Sequence, residues 1–125
     1  MSIFFYLMGS FLAIAPLLAG IILKMRPPKN INKIYGFRTK SAASSQAAWD
    51  YSQKICANSL LIYSIPELLL WTGLLSLFII RLHGYEWLLF VIGFVFAMLA
   101  VICVTPAVRI KTRNYINDIG QKNVK

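Results

Sequence analysis

Three apolar runs, at about 2–23, 59–80 and 87–108, alternate with polar stretches along this chain. A run of roughly 22 residues makes about 33 Å of helix at 1.5 Å per residue, which matches a hydrocarbon core about 30 Å thick. The pattern therefore predicts an all-α integral membrane protein of one domain with three transmembrane helices. A long polar segment, 24–58, separates the first span from the second. A short loop, 81–86, precedes the third, and a polar tail, 109–125, follows it. The first run stops at Lys24, Met25 and Arg26, where Pro27 and Pro28 remove two backbone donors and disfavour helical geometry. Gly9, Ala13, Pro16 and Gly20 fall on one face of the first span, and Gly93, Ala97 and Ala100 on one face of the third. Small residues in such a stripe let neighbouring backbones approach closely, although they are also simply common in membrane helices.

The polar segment divides into two parts. Residues 29–40 read as a turn at headgroup level, in which Tyr35 and Phe37 bury their rings while Gly36 takes a conformation that other residues resist. Arg38 presents a planar fork suited to phosphate or carboxylate, with solvation by lipid headgroups as the simpler alternative. From Ser44 or Ser45, either of which can cap it, a helix is expected. Its broad face combines Ala48, Tyr51, Ile55 and Asn58 with Trp49, Gln53, Cys56 and Leu60, placing Trp49 at the outer end. No Gly or Pro interrupts 46–65, which favours a helix continuous with the second span over one lying flat on the membrane. The tail is expected to extend the third helix by a turn or two and then fray.

Composition agrees with lipid as the solvent: 125 residues that are 58% hydrophobic and only 14% charged exceed what one small aqueous core can hide. The net charge of +9 would suggest nucleic acid in a soluble domain. Here, though, seven of the 13 basic residues lie in 24–58, five in the tail, and Arg81 alone in the short loop. That asymmetry predicts a membrane protein with its N-terminus outside, its C-terminus and long segment in the cytoplasm, and no direct contact with nucleic acid. The apolar N-terminus lacks a basic n-region and is expected to stay in the mature chain.

Glu67 is the chemical anomaly. It follows Pro66 and lies about 12 Å inside the second span, a depth at which an ionisable side chain is a site hypothesis by default. The alternative is a protonated carboxyl hydrogen bonded within the bundle and serving only packing. A pairing of Arg38 with Glu67, the turn dipping inward, is a related expectation. His83 has no companion acid, nucleophile or ligand set, so it reads as a solvated loop residue. Cys56 and Cys103 lack the spacing for zinc or a disulfide framework and are expected to be free thiols. Neither an enzyme nor a metal or cofactor site is indicated.

The polar segment also resembles the SdpI family of bacterial membrane immunity and signalling proteins. The likeness rests on Tyr35, Gly36, Phe37, Arg38 and Thr39, on Trp49 eleven positions after Arg38, and on Ser52, Gln53 and Lys54 one turn further on. Departures are Lys40 where a proline often follows Arg-Thr, Gln53 where Asn or His is common, and Ser44, Ser45 and Gln46 where acids often precede the Trp. The resemblance implies a bacterial plasma membrane location, protection against a secreted toxic peptide and tethering of a cytoplasmic transcriptional repressor, with Arg38, Thr39 and Trp49 carried over position by position. Together with the reading of the other residues, binding is expected to involve Tyr35, Gly36, Arg38, Thr39, Trp49, Gln53 and Glu67, with membrane lipids and a second copy of the chain as further partners. A small carrier using Glu67 within the bundle is the alternative.

Overall fold

The computed structural model describes residues 2–81 and 84–122. Among these, three long helices and one short 3-10 turn make up the regular structure, with no strand: α1 (Ser2–Met25), the 3-10 turn (Ala42–Ser44), α2 (Gln46–Arg81) and α3 (Glu86–Lys122). All three helices are long and apolar enough to cross a membrane. The expected spans fall inside them. His83 and residues 123–125 lie outside the described residues.

α2 starts where the serines predicted a cap. Ser45 has extended backbone angles, and its Oγ accepts the Ala48 N–H at 3.1 Å, which satisfies one of the unpaired amides of the first turn. From Gln46 the helix passes through Pro66 without interruption, so the cytoplasm-facing helix of the sequence reading and the second span are one element of 36 residues. α3 likewise runs on past Val108 to Lys122, about four turns where only one or two were expected. The extension persists because it has something to pack on: Val108 and Thr112 are fully buried, and the Tyr115 ring stacks on Tyr51 of α2 with centroids 4.1 Å apart. Such a stack adds about 1 kcal/mol to what the buried area alone provides.

α1 runs antiparallel to α2 and parallel to α3. A Cβ on Gly20 would stand 3.1 Å from Leu60 and Leu61, whereas one on Gly9, at the other end of α1, would press on the Trp71 ring. Gly93 lies directly on Gly9, and a Cβ there would stand 2.8 Å from the Gly9 carbonyl oxygen. The predicted small-residue face is thus the contact face: Gly9, Ala13, Pro16 and Gly20 are all buried, as are Gly93 and Ala100. Two apolar clusters result. One, at the basic end, joins Leu23, Cys56, Ala57, Val104 and Val108, with Phe37 of the polar segment packed against it. The other joins Ala13, Trp71 and Leu89 toward the opposite end. The outward faces, including Phe4, Leu7, Phe11, Ile62, Leu69 and Ile102, remain apolar and exposed, which suits hydrocarbon and would be a liability in water.

Candidate functional site

The polar segment folds back onto the first three turns of α2 through hydrogen bonds to its main chain. Gln53, only 1% exposed, holds both main-chain polar groups of Phe37: its Oε1 accepts the Phe37 N–H at 2.7 Å, and its Nε2 donates to the Phe37 carbonyl at 2.8 Å. One turn earlier, the Trp49 indole N–H donates to the Pro28 carbonyl at 2.9 Å from a fully buried ring. Gln46 reaches the Lys29 carbonyl at 2.7 Å. Residues 46, 49 and 53 are spaced three and four apart, so a single face of α2 offers all three side chains to the loop.

Gly36 is what allows the loop to lie so close. Its φ of +99° is disfavoured for L side chains, and a Cβ would stand 2.6 Å from the Gln53 Oε1 and 2.7 Å from the Pro28 ring. Asn32 shapes the preceding turn, its Oδ1 accepting the N–H groups of Ile34 and Tyr35 at 3.0 and 2.8 Å. The Tyr35 hydroxyl donates to the Arg26 carbonyl. Its ring remains exposed, contrary to the expected burial, because Gly36 turns the chain so that Phe37, and not Tyr35, faces the core. Thr39 opens the 3-10 turn: its Oγ1 accepts the Ala42 N–H at 3.2 Å, and its carbonyl accepts that of Ala43 at 3.0 Å.

Six of the seven predicted binding residues therefore meet in one structure: Tyr35, Gly36, Arg38, Thr39, Trp49 and Gln53. Glu67 does not join them. It lies 14 residues beyond Gln53 on α2, about 21 Å along the axis. The Arg38 guanidinium, exposed at the surface, donates instead to the Lys33 carbonyl. The expected Arg38–Glu67 pair is not formed, because the Gln53 clamp fixes residues 36–38 at the height of the first turns of α2. Glu67 is 4% exposed, and neither carboxyl oxygen has a hydrogen-bond partner. It sits between the two apolar clusters, with Ser64 and Trp71 on the same helix face.

Trp49, expected at the outer end of an amphipathic face, is instead the hub of the segment. The sequence reading missed its acceptor, Pro28, and the roles of Gln46, Asn32 and the buried Ser52. The PPKN run is dense in turn formers, which is the signal that could have marked residues 27–32 as a folded turn and not a plain linker.

Two hollows flank this clamp. One, of about 540 Å³, is lined by Asn32, Lys33, Arg38, Thr39, Lys40 and Trp49, with no acidic side chain among its walls. The other, of about 530 Å³, lies where α1 ends beside α2, and Pro28 and Gln53 belong to its wall. Because Trp49 lines the first hollow, Pro28 the second, and the two are bonded, their hydrogen bond lies in the partition between the hollows. Among the described residues no cluster of His, Cys, Asp or Glu is placed to hold a metal ion. Cys56 is buried and Cys103 exposed, both as free thiols.

Comparison with known proteins gives a family match over this part of the chain. The model of the SdpI/YfhL protein family matches residues 29–105, which takes in the clamp from Lys29 onward but not Pro28, all of α2 and most of the membrane part of α3. Among curated proteins, the uncharacterized protein YfhL of Bacillus subtilis (strain 168) is 37% identical over 46 residues. That alignment covers 37% of this chain and 42% of YfhL, so the chain spans less than half the length of the curated relative it matches. No solved structure matches the chain. With more than half of its length matched by the family model, this membrane protein belongs to the SdpI/YfhL protein family.

Proposed function

We propose that this protein is a membrane immunity and signalling protein: the three-helix bundle binds a secreted toxic peptide, and the clamped segment reports that state to a cytoplasmic transcriptional repressor. One observation supports this reading above the others. The family residues are folded onto the end of a helix that continues unbroken through the membrane, from Trp49 and Gln53 to Arg81. A change in the packing of the α2 membrane half moves the Arg38 hollow with it. A ligand that binds one packing better than another shifts the population of both. The acid-free hollow around Lys33, Arg38 and Lys40 suits an acidic segment on the repressor. The basic end is assigned to the cytoplasm and the N-terminus to the outside on the distribution of Lys and Arg. Deletion of the gene raises sensitivity to a panel of cognate and related amphipathic toxins. Unchanged sensitivity across that panel, with the protein shown to be expressed in the parent strain, sinks the proposal.

A second reading, a small carrier, is favoured by Glu67 alone, since a carboxyl without a protein partner is free to meet a ligand or exchange a proton. It predicts pH-dependent uptake that Glu67→Gln abolishes and the deletion phenotype does not require.

A further inference from the structure

The hollow beside the end of α1 has features that the toxin and repressor proposal does not use. Lys24 comes from the last turn of α1, Lys29 from the polar segment and Lys54 from α2, so three separate elements each contribute a lysine to the wall of one cavity. Among the described residues none of the three has an ion-pair partner. The one acid in the wall, Asp50, already accepts a hydrogen bond from Gln46 at 2.7 Å. Asn58 is a further polar residue of the wall, and Leu23, Pro27 and Ala57 give it an apolar part.

Position selects the ligand. Leu23 and Lys24 on α1, and Ala57 and Asn58 on α2, are the points at which each helix passes from apolar to polar sequence, and all four line the hollow. The cavity therefore straddles the boundary between hydrocarbon and headgroups. Its volume of about 530 Å³ is within the usual range for small-molecule sites. Basic pockets between membrane helices at this depth hold the phosphate groups of anionic lipids.

We propose that this hollow is a binding site for the phosphodiester headgroup of an anionic glycerophospholipid, held by Lys24, Lys29 and Lys54, with the start of its acyl chains on Leu23 and Ala57. The site is independent of the toxin and repressor reading. Because Pro28 and Gln53 share its wall, an occupying lipid braces the partition that carries the Trp49 and Gln53 hydrogen bonds.

The test uses the purified full chain in detergent, with native mass spectrometry after addition of phosphatidylglycerol, phosphatidylcholine or glycerol phosphate. Phosphatidylglycerol is retained in preference to phosphatidylcholine, and glycerol phosphate does not displace it. Each Lys→Gln change weakens retention about fivefold, and Lys24→Gln, Lys29→Gln and Lys54→Gln together roughly a hundredfold. The pair Lys33→Gln and Lys40→Gln, in the other hollow, leaves retention within about threefold. Asp50→Asn, which keeps an acceptor for Gln46, strengthens retention. Should the triple variant not fold, the opposite movements expected of Lys54→Gln and Asp50→Asn carry the test. Equal retention of phosphatidylcholine overturns the proposal. So does displacement by glycerol phosphate, which marks a soluble phosphoester site, or an equal loss in the Lys33 and Lys40 pair, which marks diffuse attraction.

Discussion

The clamp around Trp49 and the bundle interior around Glu67 both bury polar side chains on the same helix, yet they treat them in opposite ways. In the clamp, the Trp49 indole and the Gln53 amide are bonded to main-chain groups of Pro28 and Phe37. Some 21 Å further along α2, the Glu67 carboxyl is equally hidden and has no partner. A satisfied polar group fixes a structure, whereas an unsatisfied one costs free energy that something other than packing must justify. Trp49 and Gln53 thus spend their polar groups on holding the polar segment, whereas the Glu67 carboxyl has no such use.

The largest effect expected from breaking this contrast is at Trp49. Trp49→Ala removes a fully buried ring and leaves the Pro28 carbonyl unpaired, lowering stability by about 3–5 kcal/mol in thermal unfolding of the detergent-solubilised protein. A loss below about 1 kcal/mol would mean that the segment is not docked through this ring. Gly36→Ala follows, at about 2–3 kcal/mol, since the new Cβ meets both Gln53 and Pro28 in a disfavoured backbone region. Accessibility of a cysteine placed at Ala42, which is fully buried in the docked loop, rises in the same variant as the loop lifts away.

How much of this was legible beforehand depends on whether periodicity or loop closure wrote the feature. The three spans and the small-residue face from Gly9 to Gly20 follow from local pattern, and the structure reproduces them. The unbroken course of α2 was favoured by the absence of breakers from Gln46 to Ile65. The Trp49–Pro28 bond joins groups 21 residues apart through a turn with no helical or strand period, so no pattern announces it. The length of α3 was underestimated for a similar reason: a polar tail frays when alone, but Tyr115 finds Tyr51. The presence of Glu67 was plain in the sequence. Its lack of a partner was not, because that depends on where Arg38 goes.

Gln53→Ala sharpens the same contrast at about 1–3 kcal/mol, by stripping the hydrogen bonds from the N–H and carbonyl of Phe37. Glu67→Leu is expected to move the other way, raising stability by about 1 kcal/mol, because an apolar side chain of similar size ends an unmet desolvation cost. A clear loss of stability in that variant would show that the carboxyl has a bonded partner in the bilayer, and the contrast would collapse. The smallest effect is that of the Tyr51–Tyr115 stack, for which a double-mutant cycle to Leu should give a coupling of about 1 kcal/mol.

The paired ends of α2 and α3 have a consequence for reach. Residues 46–58 of α2 and 109–122 of α3 each continue for about 20 Å past the apolar spans, whereas the headgroup layer on one face is only about 5–8 Å deep. With both helices upright, the outermost turns of the cap, at Gln46 and beyond Tyr115, stand about a dozen Å past the headgroup layer, while the hollow at Leu23 and Ala57 stays level with it. A soluble protein approaching from that side touches a rigid stalk well before it encounters the bilayer.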